Sequence, residues 1–358
     1  MTGACDDCLR RTDLVGALAG WLDIEWRRRD APGWVLARPD EALLAACDSP
    51  AVRARYERFD ATAAREAVRD AGLAAVCRCE AEYPARLRDL PDPPAVLHIA
   101  GDPACVGVDD SVAVVGARRA TPYGLTVARD LGCGLSSAGV SVVSGLALGV
   151  DSAAHAGALE GTAPPVAVLA GGADRPYPAS KRQLHAAVRS AGAVVSEMPP
   201  GFGIHRWAFV ARNRLIAALA QVVVVVEATE RSGSLTTADL GSEIGRTVAA
   251  VPGRVTCAVA SGTNGLIRDG AVLARGVRDV LDALAELTGT GYDTSAPGGP
   301  ALAPELQKLF EAIGAGHSTL PMLAAHGLDP RRVLIGLGEL EARGLIRRGF
   351  GGRYERVP

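Results

Sequence analysis

Lysine is nearly absent from this 358-residue chain, in which Lys181 and Lys308 are the only two. No uninterrupted apolar run reaches the length of about eighteen residues that a membrane span needs. The formal net charge is only −2, which excludes a wholly basic nucleic-acid-binding surface, so any phosphate site must be a local cluster of arginines. The amino-terminal residues show no signal-peptide pattern. We therefore expect a cytoplasmic protein without a membrane partner.

Hydrophobic residues make up 48% of the chain, enough for a sizeable core and more than one domain. The periodicity of the apolar residues and the positions of proline and glycine divide the chain into four parts. We predict a helical N-terminal region with its linker over residues 1–100, a Rossmann-like domain over 101–287, a flexible linker over 288–303 and a winged-helix-like domain over 304–358.

The second part repeats an apolar run, a glycine turn and a segment long enough for a crossover helix. This order predicts an α/β domain with a doubly wound, mostly parallel sheet. Residues 222–226 are five valines in succession, which predicts a strand covered on both faces near the sheet centre. The predicted strands are 112–115, 140–143, 166–169, 193–195, 222–226 and 247–251.

Glycines and hydroxyl side chains follow nearly every predicted strand of this domain. Backbone N–H groups in such turns, with helix N-termini behind them, form anion-binding sites at the carboxyl edge of a parallel sheet. Positively charged side chains fall beyond the same strand ends, at Arg118, Arg119, Lys181, Arg212, Arg214 and Arg231. The pattern therefore predicts a phosphate ligand.

The sequence gives little indication of a catalytic site. Asp151 and His155 lie one helical turn apart, and we favour a structural role for the pair over a catalytic one. The chain has neither the G-x-x-x-x-G-K-[ST] loop of nucleoside triphosphatases nor the G-x-G-x-x-G turn of dinucleotide-binding enzymes. A nicotinamide enzyme is therefore excluded from the leading interpretations, and we predict no cofactor.

The cysteines do not predict a disulfide framework, because they are scattered through a long chain of cytoplasmic character. Cys5 and Cys8 have zinc-ligand spacing, and Cys77 with Cys79 would complete four thiolates. A one-residue spacing is unusual for zinc, and no histidine pair supports it. We favour reduced thiols and predict no metal.

The last part reads as three short helices followed by a hairpin, which is the order of a winged helix. Ser318 is the predicted cap of the second helix and Asp329 of the third. In one interpretation the third helix enters the major groove of DNA and the hairpin contacts the phosphates. In the other, the domain contacts a protein. The candidate contact residues are Arg331, Arg332, Arg347 and Arg348.

An ordered series of motifs runs through the whole predicted Rossmann-like domain: Gly116-Ala-Arg118 with Thr121 and Tyr123-Gly124; Ser144-Gly145 with Asp151 and His155; Asp174 with Tyr177-Pro178; Glu197-x-Pro199; Phe209 with Arg212-Asn213-Arg214; Ser232-Gly233-Ser234-x-Thr236-Thr237; and Gly262-Thr263-Asn264 with Asp269-Gly270. This series resembles the DNA-processing protein A family, also called DprA or Smf.

The resemblance implies a homodimeric protein without catalytic activity that binds single-stranded DNA and loads the recombinase RecA onto it during natural transformation. Together with the turns described above, it gives the predicted phosphate-binding residues. These are Gly116, Arg118, Arg119, Ser144, Gly145, Gly171, Gly172, Lys181, Arg212, Asn213, Arg214, Ser232, Gly233, Ser234, Thr236 and Thr237.

Two other functions stay open. Enzymes of the phosphoribohydrolase type use a similar glycine-rich fold, and Glu243 would be the acidic residue of such a site, although their Pro-Gly-Gly-x-Gly-Thr signature is absent. A ligand-sensing regulator with the winged helix as output is the second. Binding of mononucleotides without preference for longer strands would favour either one.

Overall fold

The computed structural model describes residues 3–29, 33–292, 302–325, 330–343, 345–349 and 352–356. The chain divides into two compact units, Met1–Ala296 and Pro297–Pro358. In the described part of the chain, no helix is long and apolar enough to cross a membrane.

The larger unit contains one sheet of nine strands, with the spatial order β1-β2-β6-β5-β4-β3-β7-β8-β9. Strands β3 to β9 are mutually parallel, whereas β2 pairs antiparallel with both β1 and β6. The strands are β1 (Ala74–Cys77), β2 (Val96–Gly101), β3 (Ser111–Val115), β4 (Ser141–Ser144), β5 (Val166–Val168), β6 (Ala193–Ser196), β7 (Val222–Val225), β8 (Thr247–Ala250) and β9 (Val272–Leu273).

Helices cover both faces of this sheet, as a parallel sheet requires. In chain order the helices of the larger unit are α1 (Asp6–Ala17), α2 (Ala19–Arg29), α3 (Gly33–Leu36), α4 (Asp40–Cys47), α5 (Pro50–Glu57), α6 (Ala61–Asp70), α7 (Pro122–Ser137), α8 (Val150–Ala158), α9 (Arg182–Ala191), α10 (Arg206–Leu219), α11 (Gly233–Glu243), α12 (Ser261–Arg268) and α13 (Val277–Thr288). Short 3-10 helices span Ala85–Asp89, Pro103–Cys105, Ala179–Lys181 and Ala258–Ala260.

The valine run shows how the sheet is buried. Val223 and Val225 pack with α10 on one face, while Val222, Val224 and Val226 pack with α7, α8 and α13 on the other. This confirms a strand covered on both faces. The predicted central position differs from the structure, because β4 is the middle strand and β7 lies third from the β9 edge.

The chain reverses its direction across the sheet between β3 and β7. From β3 it proceeds outward through β4, β5 and β6, and it then returns through α10 to β7 on the other side of β3. Ligands of doubly wound sheets bind at this switch point, outside the carboxyl ends of the strands. The Rossmann-like prediction is confirmed, and the topology identifies where its ligand site should lie.

The N-terminal region is more than helical. Strands β1 and β2 extend the sheet, and the predicted boundary at residue 100 falls inside β2, whose Gly101 pairs with Ala193. The prolines at 91–94 predicted a linker, yet this segment is held in place: the Tyr83 hydroxyl donates to the Pro94 carbonyl at 2.9 Å. The pairing of β2 with β6 was not predicted, because strand pairing is nonlocal.

The smaller unit contains α14 (Pro304–Gly314), α15 (Leu320–Ala324) and α16 (Pro330–Ala342), followed by the antiparallel pair β10 (Ile346–Arg348) and β11 (Tyr354–Arg356). This is the order of elements that the sequence predicted. The predicted cap is wrong in detail: Thr319, not Ser318, precedes α15, and it makes no capping hydrogen bond with its side chain. Asp329 and most of the predicted linker lie outside the described residues.

Candidate nucleic-acid interface

A cavity of about 540 Å³ lies at the carboxyl ends of β3 and β7, at the switch point. We call it the switch-point cavity. Its lining comes from the loops after these two strands and from α8, α10 and α11. The lining residues used below are Gly116, Arg118, Arg119, Asp151, Phe209, Arg212, Asn213, Ser232, Gly233, Ser234 and Thr237.

The loop after β3 is rigidly held. The Ala117 N–H donates to the Glu227 carbonyl at 2.7 Å, and the Glu227 carboxylate accepts hydrogen bonds from the Thr121 N–H and hydroxyl at 2.8 and 2.5 Å. Gly116 is required here because a Cβ would lie 2.7 Å from the Val150 side chain. These contacts fix both ends of the turn and leave the side chains of Arg118 and Arg119 exposed.

The amino-terminal end of α11 lines the opposite side of the cavity. Ser232 caps this helix by accepting a hydrogen bond from the Ser234 N–H at 3.4 Å, and the two hydroxyl oxygens lie 2.7 Å apart. Asn213 donates its side-chain amide to the Gly233 carbonyl at 3.1 Å. Because the N–H groups and the dipole at a helix N-terminus favour negative charge, this end of the cavity suits a phosphate.

Aromatic rings continue the cavity into a smaller depression of about 70 Å³, which we call the aromatic groove. The Arg118 guanidinium lies 4.8 Å from the centre of the Phe209 ring. Tyr177 lies 5.7 Å from Phe209 between ring centres, and its side chain is exposed. The groove is further lined by Gly145, Ala147, Leu148, Leu169, Ala170, Pro178, Ile204 and Arg212. An exposed ring and a half-buried ring beside an arginine suit the stacking of nucleobases.

Arg212 and Asp151 line the inner part of the switch-point cavity, and both are almost fully buried. Burial raises the pKa of Asp151, and the Arg212 cation opposes that rise. Burial also lowers the pKa of Arg212 to about 10, against the influence of Asp151. Arg212 remains a cation at neutral pH and offsets the carboxylate, so Asp151 does not make the cavity repel anions.

The structure brings together nine of the predicted phosphate-binding residues in the switch-point cavity: Gly116, Arg118, Arg119, Arg212, Asn213, Ser232, Gly233, Ser234 and Thr237. Gly145 lines the aromatic groove instead, where a Cβ would overlap the Arg212 guanidinium. Six others line neither: Ser144, Gly171, Gly172, Lys181, Arg214 and Thr236.

These six have other surroundings. Ser144 donates its hydroxyl to the Val114 carbonyl at 2.6 Å and so joins β4 to β3. Gly171 and Gly172 are buried, and a Cβ on Gly171 would lie 2.8 Å from Ile204. Lys181 ends a short 3-10 helix, and Thr236 is half-buried on α11. Glycine and hydroxyl residues at strand ends thus also serve packing.

Arg214 is the clearest correction. Its Nε donates to Asp92 at 2.9 Å and its Nη2 to Glu197 at 2.8 Å, with all three side chains at most 9% exposed. A guanidinium paired with two buried carboxylates is not available to phosphate. Arg212 and Arg214 are two residues apart on α10, about 200° around the helix, so they point to opposite sides.

The residues of the alternative chemistries do not meet in the cavity. His155 is fully buried, and burial lowers its pKa to about 4. This favours the structural role. Glu243 is the last residue of α11, about 15 Å along the helix from its N-terminal end. It therefore cannot act on a ligand bound there.

Three functional candidates were missing from the predicted set: Phe209, Tyr177 and Glu227. The two aromatic residues belong to motifs of the sequence, but nothing in their spacing shows that their rings meet beside Arg118. Glu227 directly follows the valine strand, and a buried carboxylate at a strand end is a signal that could have indicated it.

The arginines predicted for the second unit are exposed, and two of them are paired locally. Arg332 lies 2.8 Å from the Glu305 carboxylate and Arg347 lies 3.2 Å from that of Glu355. Alongside them, Leu334 and Ile335 of α16 are 51% and 71% exposed. Local pairing weakens a phosphate contact, and exposed apolar side chains favour a protein contact.

Comparison with known proteins identifies the family of this chain. The family model of DNA recombination-mediator protein A matches residues 74–285, more than half of the chain. The chain belongs to this family. The match includes β1 and β2 and ends within α13, so it covers the whole sheet.

Relatives with this fold come from several bacteria. The chain is 43% identical over 239 residues to a protein of Mycobacterium tuberculosis provisionally named DNA processing protein DprA, covering 66% of this chain and 61% of that relative. The chain thus spans about three fifths of the mycobacterial protein. A crystal structure of DprA from Streptococcus pneumoniae is 32% identical with a TM-score of 0.63, covering 77% of this chain and 95% of that one.

A solved structure of DNA processing protein A from Helicobacter pylori describes a single-stranded DNA binding mode of that protein. It is 29% identical to this chain with a TM-score of 0.55, and it covers 60% of this chain and 96% of the other.

Proposed function

We propose that this protein binds single-stranded DNA through the switch-point cavity and the aromatic groove, with phosphates held by Arg118, Arg119 and the N-terminus of α11. Arg118 carries the proposal. Its side chain is exposed, it lies over Phe209 where the two depressions join, and it pairs with no carboxylate among the described residues. The H. pylori relative supports the choice of ligand.

The arrangement suits a strand better than a free nucleotide, because it combines phosphate donors with an aromatic surface beside them. Phe209 and Tyr177 offer stacking surfaces to unpaired bases, which every base can use regardless of sequence. The bases of a DNA duplex are already stacked on one another within the helix, so they do not reach such a surface. Single-stranded DNA is therefore preferred over both mononucleotides and duplex.

Replacing Arg118 by alanine is expected to weaken binding of single-stranded oligonucleotides by about tenfold to a hundredfold, the worth of one charged hydrogen-bonding contact to phosphate. The dependence of affinity on salt should also become shallower by about 0.7 in log–log slope, corresponding to one phosphate contact. Fluorescence anisotropy with oligonucleotides of increasing length, at two salt concentrations, measures both quantities.

The matched control is Arg278→Ala, which removes the same charge from α13, where the guanidinium pairs with Asp282 at 3.1 Å. It should bind DNA as the wild type does. Equal affinity of Arg118→Ala and wild type for strands would overturn the proposal. Tight binding of mononucleotides alone would instead favour the phosphoribohydrolase-type or ligand-sensing alternative.

We further propose that the bound strand is handed to the recombinase RecA, in natural transformation and recombination, without any chemical step by this protein. The family relationship supports this role, and His155, which is buried and does not line the switch-point cavity, offers no general base there. The test is RecA filament formation on strands coated with single-stranded-DNA-binding protein. Stimulation by wild type and loss in Arg118→Ala are expected, and cleavage of the strand would contradict the proposal.

We propose that the protein forms a homodimer through the β9 edge of the sheet. Leu273 on this last strand is 44% exposed, although apolar side chains of its size are usually buried. Leu273→Arg is expected to convert dimer to monomer in light scattering coupled to size-exclusion chromatography. The control Ile24→Arg changes an equally exposed apolar residue on α2 and should remain dimeric. A wild type that is monomeric at all concentrations would refute the proposal.

For the second unit we propose a protein contact centred on Leu334 and Ile335 rather than reading of duplex DNA. Removal of residues 302–358 should leave single-strand affinity nearly unchanged, because all residues of the switch-point cavity belong to the first unit.

A further inference from the structure

Four cysteines from two distant parts of the chain meet at the edge of the sheet. Cys5 and Cys8 belong to the start of α1, while Cys77 ends the edge strand β1 and Cys79 follows it. All four sulfur atoms lie within 4.8 Å of one another. Cys5 and Cys79 are separated by 4.0 Å between sulfurs, and Cys8 and Cys79 by 3.7 Å.

These separations distinguish between the possible chemistries of the cluster. A disulfide brings two sulfurs to about 2.05 Å, and all four cysteines are free thiols in the structure. Four sulfurs bound to one ion at about 2.3 Å, at tetrahedral angles, lie about 3.8 Å apart. The two measured distances, 3.7 and 4.0 Å, bracket that value. A cluster of several irons is larger than one ion and would need the sulfurs further apart.

Hydrogen bonds hold the backbone that carries these sulfurs in place. The backbone N–H of Cys5 donates to the Cys77 sulfur at 3.5 Å, a contact that favours negative charge on sulfur. The Cys77 N–H is held by the Glu80 carboxylate at 2.6 Å, which fixes the turn carrying Cys79. Cys8 and Cys77 are buried whereas Cys79 is exposed, so the cluster is anchored in the fold and open to an ion from solvent.

We propose that Cys5, Cys8, Cys77 and Cys79 bind one structural zinc ion. Tetrahedral coordination by four sulfurs is typical of zinc, and a site closed by four protein ligands leaves no position for a substrate. Its role is therefore structural. The ion ties α1 to β1, whose cysteines are about seventy positions apart in sequence, and so fastens the helical N-terminal region to the edge of the sheet.

The one-residue spacing of Cys77 and Cys79 does not prevent this. Cys77 is the last residue of a strand and Cys79 lies in the turn that follows, so the chain reverses between them and both sulfurs reach the same point. A spacing rule taken from zinc fingers does not include this geometry.

The test is the metal content of the full-length protein after removal of any affinity tag, measured by inductively coupled plasma mass spectrometry. We expect one zinc per chain in the wild type and in Cys133→Ser, which removes a half-buried cysteine from α7 outside the cluster. Cys79→Ser should lower zinc to roughly a tenth or less, since three remaining thiolates bind far more weakly. Because Cys79 is exposed, this change leaves no cavity in the core.

A second measurement uses the wild type alone, so it does not depend on whether a variant folds. Protein prepared with cobalt in place of zinc should show the intense visible absorption of a tetrahedral four-thiolate site. Zinc below roughly a tenth per chain after growth in zinc-supplemented medium, iron in place of zinc, a disulfide among the four cysteines in mass spectra, or full zinc retention by Cys79→Ser would each overturn the proposal.

Discussion

Arg214→Ala is expected to lower the free energy of unfolding by about 3–5 kcal/mol, the typical cost of breaking a buried ion pair from one side. The guanidinium bridges Asp92 and Glu197, whose side chains are 2% and 9% exposed. Without it, two carboxylates remain buried close together without the cation that contacts both of them. Urea denaturation followed by circular dichroism measures the change.

A surface pair provides the comparison. Arg55 makes a bidentate contact with Asp13 but is 59% exposed, and Arg55→Ala should cost less than about 1 kcal/mol. A loss of similar size in the two variants would show that burial does not determine the effect at Arg214. Arg214→Lys keeps the charge but cannot reach both carboxylates with the same geometry, so it should fall between wild type and Arg214→Ala.

Acidification from pH 7 to pH 5 is expected to destabilise the fold through two buried histidines. Burial lowers the pKa of His98 and of His155 to about 4, whereas an unfolded histidine titrates near 6.5. Between these values the unfolded chain binds protons that the folded chain does not, so stability falls as the pH falls. Each histidine should contribute about 2 kcal/mol of destabilisation at pH 5.

Other ionisable groups also affect the pH dependence of stability, so the measured quantity must separate the histidines from them. Asp174 acts on His98 and Arg212 on His155, but burial is the main cause for both. Burial raises the pKa values of Asp151 and Glu197, and a raised carboxyl pKa favours the folded state as the pH falls, which opposes the loss. The informative quantity is therefore the difference in pH dependence between wild type and a His98→Gln, His155→Gln double variant.

The double variant should lose about 4 kcal/mol less than the wild type between pH 7 and pH 5. Between pH 7.5 and pH 8.5 both proteins should behave alike, because the two histidines are then neutral in the folded and unfolded states. If the free energy of unfolding changed equally in the two proteins from pH 7 to pH 5, these histidine rings would have to be protonated within the folded protein.

The sheet was largely predictable because six of the seven strands of the parallel part are short apolar runs, most of them followed by a glycine or a hydroxyl residue. Every predicted run corresponds to a strand, from 112–115 to 247–251. Strands β1 and β2 were not placed in the sheet, since β2 pairs with β6 nearly a hundred residues away and the edge strand β1 in turn pairs with β2. The helical pattern of residues 6–70 was visible, but what these helices cover was not.

The sequence predicted a phosphate site at the strand ends, but only some of the predicted residues line the switch-point cavity. A run of Arg-Asn-Arg places charge near a strand end, but the helical rotation between Arg212 and Arg214 decides which one reaches the cavity. Asp92 pairs with Arg214 and so keeps its guanidinium away from phosphate. This aspartate lies in a proline-rich segment that the sequence analysis interpreted as a linker. Similarly, the four cysteines are separated by about seventy residues, and only the fold brings them together.

The bonds that tie the loop after β3 to Glu227 have a kinetic consequence. Because Ala117 and Thr121 of this turn are already held by hydrogen bonds to Glu227, a strand bound as proposed would not have to wait for a slow rearrangement of that loop. Encounter should then be governed by electrostatic attraction and diffusion, and association should slow as salt rises. Residence time, by contrast, would depend on how many bases stack on the rings of Tyr177 and Phe209.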